Sequence, residues 1–207
     1  RCLVRPVVED AAHVQEDGDD HAMRRVAMEI AQDLAEGHRR LDILHVLIRR
    51  RDRWDVIENE QELKSLIVGT NIDTNSSLTL SSSLDLLWNS VNVLRRNAIV
   101  VIISENNKGF GVKAIEKFAY GEIKLEDYKN STYLEGLEHI MFINELKEKY
   151  NIAILSALPK YYLKEIFGLK VFSNIQEAAD KILEMNGKSH RISIIQDPNI
   201  AIFKKHD

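Results

Sequence analysis

Short apolar runs alternate with helical patterns along the chain from residue 64 onward. Ser65–Gly69 is one such run, and Ala98–Ile103 is a longer, mostly β-branched run of the kind found in strands that are covered on both faces. Between these runs, apolar residues recur at three- and four-residue spacing. This spacing predicts one face of a helix, formed by Leu84, Leu87, Trp88, Val91 and Leu94.

The alternation continues through residue 203. Helices are predicted around Val112–Tyr120 and Tyr133–Tyr150, after Pro159, and from Ile175 to Met185. Further strands are predicted at Ile152–Leu155, Val171–Ser173, His190–Ile195 and Ile200–Phe203. Strands that alternate with helices in this way form βαβ units, so the sequence predicts an α/β fold with a mostly parallel sheet and helices on both faces.

The first 54 residues differ in composition from the rest of the chain. They hold ten Arg, no Lys and no Asn, whereas residues 55–207 hold three Arg, fifteen Lys and fourteen Asn. This break predicts two segments, a leader at 1–54 and a body at 55–207. The leader is either foreign to the body, through a fusion or a wrongly assigned start, or an Arg-rich helical face that meets solvent.

A short helix is predicted inside the leader. Its apolar stripe consists of Met23, Val26, Ala27, Ile30, Ala31 and Leu34. The segment Leu41–Ile48 fits either a helix or a strand. The predicted architecture is therefore an α/β body preceded by a short Arg-rich helical segment.

Charge and composition exclude several classes of function. A net charge of −4 is far from the basic footprint of a nucleic-acid-binding protein. No apolar run approaches the ~18 residues of a membrane-spanning helix. The single cysteine, Cys2, excludes a disulfide framework and a four-cysteine zinc site. We therefore expect a cytoplasmic protein that binds neither nucleic acid nor membrane.

The loops beyond the carboxyl ends of parallel strands are where ligands bind in such sheets. Glu105 directly follows the buried run Ala98–Ile103 and can accept a hydrogen bond from a hydroxyl or orient a base. Gly109 and Gly111 permit backbone amides to approach an anion. Lys160, in the loop after the next strand, can reach an anionic ligand. These four residues are the predicted cleft residues, and the alternatives are turn chemistry for the glycines and a surface position for the lysine.

No other motif in the sequence defines a reaction. The serines at positions 81–83 lie in no Gly-x-Ser-x-Gly elbow, and Thr79 or these serines fit better as caps of the following helix. The histidines of the leader lack metal-ligand spacing, and His139 fits a packed position in a helix. No metal site and no catalytic residue are therefore assigned.

An ordered series of segments in the body resembles part of a known family. The series begins with the apolar strand and glutamate of Asn97–Glu105 and the Gly109-x-Gly111 loop, and continues through a long helix to Ile152–Pro159. Gly168–Phe172, a helix rich in Ala and Leu, and Ile192–Pro198 complete the series. Over roughly residues 62–203, this order is similar to the C-terminal domain of the nickel-dependent lactate racemase family.

The resemblance implies a two-domain enzyme that racemises or epimerises 2-hydroxy acids by hydride transfer to and from a nickel-pincer nucleotide. In that family, a lysine and a histidine of the N-terminal domain hold the cofactor, and paired histidines act as bases. That N-terminal domain is not recognisable here. The C-terminal domain of the family adds a Gln-x-x-Lys pair on the helix after its first strand. The corresponding residues 80–87 contain neither Gln nor Lys, and Asp85 stands where the lysine is expected.

We therefore expect a fragment or a diverged member of this family. It would form one wall of an interdomain cleft with a separate N-terminal racemase-like domain, and a small 2-hydroxy acid is the implied substrate. The cofactor is not expected to bind the isolated chain tightly, so the chain alone is expected to be inactive. The alternative function is a non-catalytic α/β binding or interaction module that keeps the scaffold.

Overall fold

The computed structural model describes residues 44–47, 55–59, 62–69, 79–126, 134–196 and 201–205. The helix predicted at Met23–Leu34 lies outside these ranges. The strands are β1 Leu44–Leu47, β2 Asp55–Asn59, β3 Leu63–Gly69, β4 Leu94–Ile103, β5 Asn151–Leu155, β6 Lys170–Val171, β7 Ile192–Gln196 and β8 Ala201–Lys205. The helices are α1 Leu80–Ser90, α2 Lys113–Ala119, α3 Leu137–Lys149 and α4 Ile175–Asn186, with a 3₁₀ turn at Val91–Val93 and a π-helix at Tyr162–Ile166.

Six strands form one parallel sheet in the order β1-β7-β3-β4-β5-β6, while β2 and β8 form a separate parallel pair. The predicted α/β class and parallel sheet are therefore confirmed. The chain runs outward from β3 through β4 and β5 to β6, and then returns to the other side of β3 as β7. Ligands bind in doubly wound sheets beside such a reversal of strand order, at the carboxyl ends of the strands.

Side chains along the central strands alternate between two buried faces. Leu66 of β3 lies level with Val100 of β4, and both belong to the larger core cluster. The next pair along the strands, Ile67 and Val101, belongs to the second cluster on the opposite face. All four side chains are fully buried. This two-sided burial explains why the strands read as continuous apolar runs rather than as alternating ones.

Helices cover both faces of the sheet, as predicted. The larger cluster receives buried residues from α1, α2, α3 and the π-helix, for example Leu84, Ile115, Ile140 and Leu163. The second cluster receives its helical residues from α4, namely Ala178, Ala179, Ile182 and Leu183. The amphipathic spacing that predicted these helices identified most of the residues that pack on the sheet. Trp88, which was predicted on the same face, is 41% exposed.

The helix predicted through Leu94 ends four residues earlier, at Ser90. The Ser90 hydroxyl donates to the carbonyl oxygen of Leu86 at 2.7 Å, and such back-bonding competes with helix continuation. Val91 begins a 3₁₀ turn and Leu94 begins β4, yet both still pack against the larger core cluster. The apolar spacing correctly predicted that these residues are buried. It did not predict that the backbone changes there from a helix to a 3₁₀ turn and then to a strand.

The helix predicted after Pro159 contains a π-helix. The backbone N–H of Phe167 donates to the carbonyl oxygen of Tyr162 at 3.0 Å, which is the five-residue spacing of that geometry. The Lys147 ammonium donates to the Phe167 carbonyl oxygen at 2.6 Å and so covers the end of the π-helix. Partial burial of Lys147 lowers the pKa of its ammonium.

Little of the leader can be compared with prediction. Of residues 1–54, the structure describes Leu44–Leu47, which form a strand paired with β7. This resolves the open choice at Leu41–Ile48 in favour of a strand there. The boundary at residue 54 stays a prediction. Within the described ranges, no helix combines the length and apolar character needed to cross a bilayer.

Candidate functional site

The described part of the candidate site is built at the carboxyl ends of β4 and β5. The loop at residues 104–112 leaves β4, the loop at 156–160 leaves β5, and the N-terminus of α1 lies against the first of these loops. The loops after β3 and β7, residues 69–77 and 196–199, lie at the same edge and are also expected to bind ligands. Except for Gly69 and Gln196, they fall outside the described ranges. The described residues therefore define the β4–β5 side of this edge.

A buried group of polar side chains, here called the polar cluster, ties these parts together. It consists of Ser83 of α1, Ser104 and Asn106 of the β4 loop, and Ser156 of the β5 loop. The Ser83 hydroxyl lies 2.7 Å from Ser104 Oγ, and Ser104 Oγ donates to Asn106 Oδ1 at 2.9 Å. The Asn106 amide donates from Nδ2 to Ser156 Oγ at 3.0 Å. Since Ser83, Ser104 and Asn106 are at most 3% exposed, these hydrogen bonds satisfy polar groups that have lost water.

Asn106 occupies a backbone conformation that few residues adopt. Its φ of 55° lies in the left-handed region, which asparagine tolerates better than most non-glycine residues. Its carbonyl oxygen accepts a hydrogen bond from the Gly109 N–H at 3.1 Å and closes a tight turn. Sequence reasoning selected Glu105 and missed both of its neighbours. The available signal was a polar residue, Ser104 or Asn106, at the end of a fully buried strand.

The two predicted glycines bring the β4 loop against the start of α1. The backbone N–H groups of Leu80 and Ser81 donate to the carbonyl oxygens of Gly109 at 2.9 Å and Phe110 at 3.1 Å. Gly111 has a φ of 91°, and a Cβ there would lie 2.1 Å from Ser81 Oγ. The predicted cap Thr79 is confirmed, because its side chain accepts the Ser82 N–H. The first N–H groups of α1 are thus used within the protein rather than offered to an anion.

The predicted Glu105 and Lys160 side chains lie on the surface. Glu105 is exposed between the buried Ser104 and Asn106, and its carbonyl oxygen accepts the Ala157 N–H at 3.1 Å. This bond fixes the backbone from which the carboxylate projects. Lys160 is also exposed and donates to Ser173 Oγ at 2.9 Å. Ligand contact by Glu105, Gly109, Gly111 and Lys160 stays a prediction.

Aromatic side chains border the same loops and form what we call the aromatic rim. Phe110 of the β4 loop contacts Tyr162 with ring centroids 5.1 Å apart, and Tyr120 with centroids 5.8 Å apart. Tyr161 extends the rim, with its ring centroid 5.5 Å from that of Tyr162. Tyr120 and Tyr161 are 56% and 62% exposed. Tyrosine is enriched at surfaces that contact another protein.

Asp85, which stands where the resemblance expects a lysine, pairs with a histidine. His139 of α3 lies 2.8 Å from an Asp85 oxygen through Nε2 and is 8% exposed, so its predicted packed position is confirmed. The hydrogen bond to Asp85 raises the pKa of His139, and burial opposes this change without cancelling it. Asp85 therefore belongs to an interhelical pair.

The described residues do not provide a set of ligands for a nickel cofactor. Among them, no group of three or more His, Cys, Asp or Glu side chains is placed to hold a metal ion. The Gln-x-x-Lys pair of the resembled family is missing, and Asp85 at that place is engaged by His139. The donors of this part of the chain therefore do not fit a nickel-pincer nucleotide by themselves.

Comparison with known proteins finds structural similarity to a racemase. No family profile and no curated protein sequence matches the chain. Among solved structures, it is similar to the lactate racemase apoprotein from Thermoanaerobacterium thermosaccharolyticum, with a TM-score of 0.52 and 11% sequence identity. The match covers 69% of this chain and 35% of the racemase, so the chain spans about a third of that protein's length. The fold predicted from the resemblance is confirmed: this is an α/β chain with the fold of one part of lactate racemase.

Proposed function

We propose that this chain supplies one wall of a cleft in a lactate racemase-like protein, with the other wall provided by a separate N-terminal racemase-like domain. The observation that carries the proposal is the structural match, which covers most of this chain but only 35% of the racemase. A chain with the fold of one part of a larger protein needs the remainder to complete a site of the same kind.

The β4–β5 edge is the face that we assign to this wall. Its backbone is held by the buried polar cluster, so the exposed Glu105 projects from a rigid support. The aromatic rim beside it offers the exposed tyrosines Tyr120 and Tyr161 to a docking domain. A carboxylate at Glu105 accepts a hydrogen bond from the hydroxyl of a 2-hydroxy acid, and a charged hydrogen bond of this kind is typically worth ~1.5–3 kcal/mol.

The reaction that we propose for the assembled protein is racemisation or epimerisation of a small 2-hydroxy acid. The nickel-pincer nucleotide would supply the redox chemistry, and its ligands would come from the partner domain, since the described residues offer no such set. Asp85 is paired with His139, so it offers no positive charge to a substrate carboxylate near α1. In this proposal, the substrate's hydroxyl rather than its carboxylate faces this wall.

A non-catalytic binding module is the second candidate function. The pairing of Asp85 with His139 favours it, because a position expected to contact substrate instead joins two helices. Such a module would keep the scaffold and the aromatic rim as a docking surface without taking part in a reaction. Complex formation without turnover distinguishes it from the racemase-like function.

Reconstitution tests the proposal. The chain is mixed with a separately expressed N-terminal domain of a lactate racemase, loaded with nickel-pincer nucleotide, and given enantiopure D-lactate. We expect L-lactate from the mixture and none above background from either component alone. Product from this chain alone would contradict the one-wall proposal, and a complex without product would favour the binding module.

A further inference from the structure

His139 is buried between two carboxylates that belong to different helices. Its Nε2 lies 2.8 Å from an Asp85 oxygen of α1, and its Nδ1 lies 3.6 Å from a Glu138 oxygen of α3. The Nδ1 atom is buried and has no hydrogen-bond partner among the described residues. A neutral imidazole that donates from Nε2 presents a bare lone pair at Nδ1, whereas the imidazolium presents an N–H at both nitrogens. The surroundings therefore match the charged form.

The two carboxylates are also tied to the backbone and the solvent in different ways. Asp85 and Glu138 are 49% and 42% exposed, so both carboxylates also contact water. The second Glu138 oxygen accepts the backbone N–H of Gly136 at 3.2 Å, at the start of α3. A protonated His139 thus joins α1 to the first turn of α3. Within the described residues, Asp85 and Glu138 are the charged groups that act on the imidazole.

The same helix α1 also reaches the candidate site near its N-terminus. Ser83 lies two residues before Asp85 and enters the polar cluster with Ser104 and Asn106. Helix α1 is therefore held at two successive points, by the polar cluster at the β4 loop and by His139 at α3. A change in one of these attachments alters how firmly α1 holds the other.

We propose that His139 is a proton-dependent latch between α1 and α3 that controls how firmly α1 is held against the β4 loop. With the proton bound, both nitrogens face carboxylates and the two helices are joined. When the proton leaves, the interhelical hydrogen bond to Asp85 loses its charge assistance and the junction loosens. The latch concerns the stability of this chain and does not depend on the proposed racemase-like function.

The direction of the pH effect follows from the two carboxylates. The hydrogen bond to Asp85, supported by the charges of Asp85 and Glu138 and by the backbone of Gly136, raises the pKa of His139 above its ordinary value of about 6.5, although burial opposes this change. A group whose pKa is higher in the folded state stabilises that state fully below the unfolded pKa. The stabilisation is lost as pH rises through the folded pKa. The latch is therefore closed in mildly acidic solution and opens as the pH rises through that folded value.

Proton NMR and hydrogen exchange on the full chain test the latch. The wild type is compared with Asp85→Asn and with a control, Glu145→Gln, which removes an exposed carboxylate of α3 that pairs with Lys149. His190 serves as an internal reference, because it lies at the amino ends of the strands, where it contacts Ser65. Burial lowers its pKa. We expect His139 to titrate above about 6.5 in the wild type and the control, and lower in Asp85→Asn.

Hydrogen exchange measures how firmly α1 is held. After correction for the intrinsic rates, protection of residues 80–90 in the wild type and the control should fall between pH 6 and pH 9. The protection factors should fall by about tenfold for each pH unit by which the pKa of His139 in the folded chain exceeds its pKa in the unfolded chain. Asp85→Asn should show a smaller fall. A His139 that titrates at or below about 6.5 in the wild type would overturn the latch, as would equal pH dependence of α1 protection in all three proteins.

Discussion

Gly109 and Gly111 share a left-handed backbone conformation but differ in their surroundings. Their φ values are 88° and 91°, so a side chain at either position strains the backbone. A Cβ at Gly109 would meet open space, whereas a Cβ at Gly111 would lie 2.1 Å from Ser81 Oγ and 2.9 Å from Thr79 Oγ1. The two positions therefore separate backbone strain from close packing against α1.

Alanine at each glycine measures this difference. Gly109→Ala and Gly111→Ala should each lower the free energy of unfolding by about 1–2 kcal/mol, because each places a Cβ at positive φ. Gly111→Ala should cost about 1–3 kcal/mol more, since Ser81 or the loop must move. Urea unfolding of the two variants checks this order. Equal losses would show that the loop does not press on the N-terminus of α1.

At this scale, sequence reasoning located the glycines but missed the residues that hold them. A Gly-x-Gly pair stands out in any sequence, so the loop itself was predictable. The buried serines and Asn106 were not selected, because a polar residue after a strand is normally exposed, and only the fold brings Ser83 within reach of Ser104 over 21 residues of chain. Contacts of this length are set by topology rather than by local pattern.

At the scale of elements, the polar cluster joins α1, the end of β4 and the loop after β5. Asn106 is central, because its Oδ1 accepts from the Ser104 hydroxyl and its Nδ2 donates to Ser156. The strands themselves were predictable as continuous apolar runs. The end of α1 was not, since Val91 and Leu94 keep the helical spacing of buried positions after the helix has ended.

Truncation of Asn106 tests this junction, with the exposed neighbour Asn107 as control. Asn106→Ala should lower the free energy of unfolding by about 1–3 kcal/mol, because buried partners lose their hydrogen bonds. Asn107→Ala should change it by no more than about 0.5 kcal/mol. Thermal and urea unfolding provide the measurement. An Asn106 variant as stable as the Asn107 variant would mean that the cluster does not hold the loops.

At the scale of the whole molecule, the described core residues lie between Leu63 and Ile195. Both clusters draw their described members from this range, which includes the four central strands β7, β3, β4 and β5. The α/β class was predictable from the sequence because a parallel sheet buried on both faces leaves a clear pattern. The order of the strands was not, since return of the chain to β7 beside β3 has no local signature.

Removal of the leader together with β2 tests whether the rest of the body folds by itself. A chain that begins at Glu60 keeps every described core residue but loses β1 and β2. We expect it to stay soluble and to unfold in one cooperative transition, within a few degrees of the full chain. Calorimetry of both chains gives the comparison. Loss of the cooperative transition would show that residues before Glu60, which include β1 and β2, are part of the folded unit.

Glu105→Gln tests most directly whether the β4–β5 edge is the wall of a shared cleft. Because Glu105 is exposed, the substitution should change the free energy of unfolding by no more than about 0.5 kcal/mol. Binding of the N-terminal racemase-like domain in the presence of D-lactate should weaken by more, about 1.5–3 kcal/mol, if the carboxylate accepts a hydrogen bond across the cleft. Thermal melting and calorimetric titration of the same two proteins give both numbers. A variant that melts far lower yet binds unchanged would make Glu105 a structural anchor and contradict the assignment of this edge.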